Sequence, residues 1–164
     1  MCRIFASLIV FPTLFMVSVS ADETSDAVQE KREQAFSKRM ENVTLTGSFT
    51  VDGKSQDGPT KAESYEIESV KKVTGNLWTF MTRIKYGKTD ARLPVTVPVI
   101  WADETPMVSL TNATIPGLGS EFSAKVIFDG DRYAGTWAHG KAGGHMFGKI
   151  AKTKKPTSET ASAQ

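Results

Sequence analysis

The chain has 164 residues, with 20 Lys and Arg against 18 Asp and Glu, 40% hydrophobic residues and one cysteine. That length suits a single ordinary domain with short appendages. Interleaved charges close to balance argue against a nucleic-acid partner, and one cysteine cannot build a disulfide framework or a cysteine-ligated metal site.

The opening MCRIFASLIVFPTLFMVSVSA (1–21) has the layout of a secretory signal peptide. Arg3 gives a positive start, residues 4–19 are mainly apolar, and Ser18, Ser20 and Ala21 are small. Cleavage is expected after Ala21, with Val19 and Ala21 as the −3 and −1 residues. A membrane anchor needs about 20 apolar residues. This run is shorter, contains Pro12 and ends in small polar residues. The expectation is an exported protein, periplasmic or extracellular, with no stable membrane insertion after cleavage. Cys2 would leave with the leader, and the loss of Arg3 takes the basic count from 20 to 19 against 18 acids. The exported domain would then depend on core packing alone.

Residues 22–42 are polar, with Ala27, Val28, Ala35, Phe36 and Met40 as apolar members. Val28, Ala35 and Phe36 fall near one side at helical spacing, and Ser25 or Asp26 is placed to cap a first turn. This predicts a short helix lying against the domain or across one of its ends, with a disordered first half as the alternative.

From Val43 the period changes to two. VTLTGSFTV (43–51) puts Val43, Leu45, Gly47, Phe49 and Val51 on one face. Asp52-Gly53 and Asp57-Gly58-Pro59 mark turns. AESYEIESVKKV (62–73) is a weaker strand carrying Tyr65, Ile67 and either Val70 or Val73. LWTFMTRIKYG (77–87) aligns Trp78, Phe80, Thr82, Ile84 and Tyr86. ARLPVTVPVIWA (91–102) aligns Leu93, Val95, Val97, Val99 and Trp101. Its Pro94 and Pro98 remove ladder donors and predict an edge or a locally irregular strand. Further strands are predicted in 106–119, 120–130, 132–140 and 145–151, followed by a polar, disordered tail over 152–164. These strands, roughly eight over 43–151, have short connections that favour antiparallel neighbours. The expected fold is all-β: an antiparallel, roughly eight-stranded, barrel-like (calycin-like) meander after a short N-terminal helix. A two-sheet β-sandwich is the alternative.

Candidate chemistry is sparse. GKAGG (140–144) fits neither the Walker nor the dinucleotide pattern, which need a strand–loop–helix setting; its glycines read as a tight hairpin. His139 and His145 are placed to face each other across that turn. A stable metal site needs three or four ligands, and no third is fixed by spacing, with Asp131, Asp103 and Glu104 the acids at hand. Neither histidine has a defined Ser or Asp partner for a hydrolytic triad. Glu63, Glu66 and Glu68 share a strand with Lys71 and Lys72 and read as a solvated face. Asn42-Val43-Thr44 and Asn112-Ala113-Thr114 are glycosylation sequons.

The aromatics Trp78, Phe80, Tyr86, Trp101, Phe122, Phe128, Tyr133, Trp137 and Phe147 all fall in predicted strands. Either they fill the core or they surround an apolar pocket. In the second case Trp78, Phe80, Ile84, Trp101, Phe122, Tyr133 and Trp137 are the ligand-binding candidates. Interior glycines at 47 and 135 would let another strand or a ligand approach. Tyr133, Trp137 and Phe147 are expected on the strands that close the barrel.

The runs GSFTVDGK (47–54), YEIESVKKVTG (65–75) and YAGTWAHGKAGGHMFGKI (133–150) resemble a group of small uncharacterised exported proteins of planctomycete-type bacteria. The resemblance spans nearly the whole mature domain. It implies a bacterial exported protein and carries no biochemical activity. GTW (135–137) is also similar to the Gly-x-Trp of lipocalins and avidins. There it lies in the first strand, whereas here it falls in the next-to-last, so their ligand chemistry is not carried over. The sequence reading is thus a non-enzymatic domain without a cofactor. Either it binds a small apolar or amphipathic molecule inside, or it is a structural or protein-interaction domain with a filled core.

Overall fold

The structure is a computed structural model, in which residues 21–53, 60–86 and 88–153 are described. The expected leader (apart from Ala21) and most of the expected tail lie outside these residues. One helix, α1 (Ala21–Arg39), precedes eight strands: β1 (Val43–Phe49), β2 (Lys61–Thr74), β3 (Leu77–Tyr86), β4 (Thr89–Ala102), β5 (Thr105–Ile115), β6 (Gly119–Asp129), β7 (Arg132–His139) and β8 (Ala142–Lys152). Each strand pairs with the next, and the sheet closes into a barrel. The closing ladder is antiparallel and runs from Val43↔Lys152 to Phe49↔Met146. It rules out the sandwich, in which the first and last strands would not join one continuous sheet.

Strand alternation sends Leu45, Phe80, Val97, Val126 and Tyr133 inward, where all are buried. In β2 the register shifts between Ile67 and Ser69. The extra residue reverses the phase, so Val70 is buried at 1% exposure while Val73 is 60% exposed. This resolves the two alternatives left by the sequence.

The prolines of β4 act on one side only. The Val99 N–H donates to the Asn76 carbonyl, 2.8 Å away, on the β3 side. Successive N–H groups alternate in direction, so Pro98 and Pro94 present their donor-less nitrogens toward β5. Pairing follows: β4 matches β3 from Leu77↔Pro98 to Tyr86↔Thr89, but meets β5 only from Val99↔Val108 to Ala102↔Thr105. Over Thr89–Pro98 the ladder with β3 is unbroken and no β5 residue is paired, so this stretch behaves as an edge, whereas Val99–Ala102 is paired with β5.

The chain order places the β2–β3, β4–β5 and β6–β7 turns at one end of the barrel, and α1 crosses that end. From residue 25 on, its inward positions are 29, 32, 33, 36, 37 and 39, continued by Met40 just past the helix end, a 3–4 spacing typical of one helix face. Only Phe36 and Met40 on this face are apolar, and both are buried. The Phe36 ring lies 5.6 Å from Trp78, 5.7 Å from Trp101 and 6.0 Å from Phe128. The rest of the face is tied down by polar contacts. Arg32 donates to the Asp103 carbonyl at 2.6 Å and stacks over Trp101. Glu33 pairs with Lys72 at 2.7 Å, and the Ser37 hydroxyl donates to the Val70 carbonyl. The expected apolar side was partly misplaced: Val28 and Ala35 are exposed. Ser25 and Asp26 lie inside the helix and do not cap it. Hydrophobic spacing could not find a face that is mostly polar.

Candidate functional site: the barrel interior

Away from α1 the strands surround a cavity of about 280 Å³ that is partly open. Its walls are mainly aliphatic and aromatic, including Leu45, Ile67, Val95, Leu110, Val126 and Met146. Phe49, Ile115, Leu118, Phe122, Trp137 and His139 line it toward the end remote from the helix. Trp137 stands edge-on to Phe49, with ring centres 5.6 Å apart, and its indole N–H donates to the Thr50 carbonyl at 3.1 Å. His139 stacks on Phe122 at 4.1 Å.

One strongly polar group sits in this apolar wall. Glu63 projects from β2 into the cavity lining and is 4% exposed. Tyr133 donates its hydroxyl to Oε1 and Tyr65 donates to Oε2, both at 2.8 Å. Burial pushes the Glu63 carboxyl above its usual range, while the bonds from Tyr133 and Tyr65 pull the other way. The Tyr133 phenol is pushed up strongly by burial and by the adjacent Glu63, so it stays protonated and remains a donor. Thr82, also on the lining, donates to the Glu66 carbonyl at 3.1 Å.

The glycines of the closing segment explain how Tyr133 reaches this acid. Gly47 and Gly148 are opposite each other in the β1–β8 ladder. A Cβ at Gly47 would collide with the Phe147 carbonyl and the Tyr133 hydroxyl; at Gly148 it would strike the Thr46 carbonyl and the Tyr133 ring. Two bare backbones thus leave room for the phenol to lie across them toward β2. The expectation that Gly47 admits a neighbour is met by this side chain. In GKAGG only Gly140, at φ +58°, supplies the left-handed turn residue. Gly143 and Gly144 are strand residues, paired with Ala138 and Trp137. The hairpin is therefore tighter than the sequence suggested.

Of the seven ligand-binding candidates, Phe80, Ile84, Phe122, Tyr133 and Trp137 border the cavity. Trp78 and Trp101 do not; they pack under Phe36 at the helix end. Trp78 is 1% exposed, and its indole N–H has no partner among the described residues. Phe147 points outward and is 48% exposed, so it takes no part in the interior. The Tyr86 side chain lies outside the described residues. The two histidines do not face each other, since His139 pairs with Ala142 and His145 with Thr136. Strand alternation sends them to opposite faces. Among the described residues no three His, Cys, Asp or Glu side chains are grouped to hold a metal.

Glu63 belongs to the cavity wall, not to the solvated face expected from its neighbours Glu66, Glu68, Lys71 and Lys72. Its phase was the available signal: 63, 65 and 67 share one face of β2, with Tyr65 and Ile67.

Fold and site together define a closed eight-stranded antiparallel barrel, with one end plugged by a helix and an apolar cavity carrying one acid. No protein-family model, curated protein or solved structure matches the chain. Among the described residues no helix is long and apolar enough to cross a membrane.

Proposed function

We propose that this protein is an exported, non-catalytic carrier that holds one small, largely apolar molecule inside its barrel. The observation that carries the reading is the cavity of about 280 Å³ in a domain whose other end is solidly packed. An apolar cavity of about 150 Å³ accepts benzene, so this one suits a molecule of roughly ten to twelve non-hydrogen atoms. Apolar walls with a few placed polar groups are the usual make-up of small-molecule sites. Export is supported by the leader-like residues 1–21 and by the resemblance of the closing segment to exported planctomycete-type proteins.

The test is binding of a small apolar probe such as octanol, read by Trp fluorescence and native mass spectrometry. Ala124 lines the cavity, and Ala124→Phe places a ring in it. The expected outcome is a folded variant that no longer binds the probe. Equal binding by the wild type and Ala124→Phe would place the probe elsewhere and overturn the reading. Export is checked separately by sequencing the N-terminus of the protein recovered outside the cytoplasm.

A further inference from the structure

The polar corner of the cavity is one-sided. The hydroxyl protons of Tyr65 and Tyr133 are given to Glu63, and that of Thr82 to the Glu66 carbonyl. A molecule reaching Glu63 therefore meets lone pairs, and must itself bring a hydrogen-bond donor. The charge is one-sided too. Among the described residues lining the cavity there is no Lys or Arg. An ionised carboxylate in an apolar wall is costly unless an opposite charge lies against it.

We infer that the cavity selects a small amine: an apolar body that fills the barrel and a protonated nitrogen that pairs with Glu63. This rests on the carrier reading and adds the chemistry of the ligand's head. The two phenols hold the carboxylate oxygens from either side, and each oxygen keeps acceptor capacity for an N–H of the ligand. A carboxylate ligand would meet repulsion at the same place. An alcohol would supply a donor but no charge.

The same geometry predicts a pH dependence. Among the described side chains the ionisable groups bonded to Glu63 are Tyr65 on its own strand and Tyr133 from β7; His139, six residues further along β7, also lines the cavity. The described inward residues beside Glu63 on β1, β3 and β8 are uncharged, among them Leu45, Thr82, Ile84 and Met146. An alkylamine keeps its proton at neutral pH, like a lysine near 10.4. Acidification that protonates Glu63 removes the pairing charge and weakens amine binding.

Octylamine, octanol and octanoate share one apolar chain and differ in the head. Their affinities for the full mature protein can be compared by calorimetry at about pH 7.5 and again in mild acid, where carboxyl groups take up protons. The expected order is octylamine tighter than octanol by about tenfold or more, with octanoate weakest, as a charge-assisted bond predicts. The amine's advantage shrinks in acid. Glu63→Gln should remove that advantage at both pH values. The inference is overturned if octanol or octanoate matches octylamine in the wild type, a comparison that needs no variant to fold. In that outcome the carrier reading survives. Binding of none of the three removes both.

Discussion

At the end crossed by α1, Phe36 and Met40 fill the space among Trp78, Trp101 and Phe128. At the other end Phe49, Phe122 and Trp137 border a cavity. Both ends are rich in aromatics, so residue type does not separate them. Strands deliver side chains radially, and a ring of eight leaves an axial region that radial side chains must be large enough to fill. The helix brings two more side chains along the axis. Where it does so the barrel is solid; beyond its reach the interior stays open.

The largest expected effect comes from removing that axial plug. Phe36→Ala should cost about 3–5 kcal/mol, the usual cost of truncating a buried Phe, measured by urea unfolding. A smaller loss would mean that the helix rests on the barrel without helping to hold it together. Next comes Gly148→Ala. The new Cβ meets the Tyr133 ring and the Thr46 carbonyl, and overpacking of this kind costs about 1–3 kcal/mol. It should also displace the Tyr133 hydroxyl from Glu63, visible as a changed tyrosine signal in near-ultraviolet circular dichroism.

Phe122→Ala sharpens the contrast between the ends. Phe122 is half-buried and already borders a cavity, so its loss should cost on the order of 1 kcal/mol, well below the Phe36 value. Equal costs would erase the distinction between the packed end and the hollow one.

The last prediction concerns pH. The folded Glu63 carboxyl titrates above its ordinary value of 4.5. Between the two values the folded chain holds a proton that the unfolded chain has released. The stability contribution is therefore full below the unfolded value and is lost as pH rises through the folded one. The slope in that window is at most about 1.4 kcal/mol per pH unit for a single proton. Glu63→Gln cannot titrate, so the difference between wild-type and variant unfolding curves isolates this term. A difference that stays flat with pH would mean that burial does not shift Glu63.

Much of the fold was readable because each strand needs only local information. The period of two in 43–51, 77–87 and 120–130, and turn residues such as Gly130 and Gly140, follow from neighbours along the chain. The helix was harder, since only Phe36 and Met40 of its inward face are apolar. The site was partly legible. Phe80, Ile84, Phe122, Tyr133 and Trp137 were in phase with one another and do border the cavity. Trp78 and Trp101 were equally in phase, but which end of the barrel they occupy relative to α1 is a long-range fact. Glu63 was in phase with Tyr65 and Ile67, and was misread because the charges beside it in sequence outweighed its parity.

The sequence by itself determined most of the strands, their antiparallel order and, where the period of two is unbroken, the face a side chain takes, because these depend on residues a few positions apart; the β2 bulge, which reverses that phase before Val70, was not among them. Closure of β8 onto β1 was decided only by tertiary structure, because it joins strands about a hundred residues apart in sequence. So were the plugging of one end by Phe36 and the meeting of Tyr133 with Glu63 across two glycines. Each of these sets distant residues against one another, and only the packed chain fixes whether the space between them is filled.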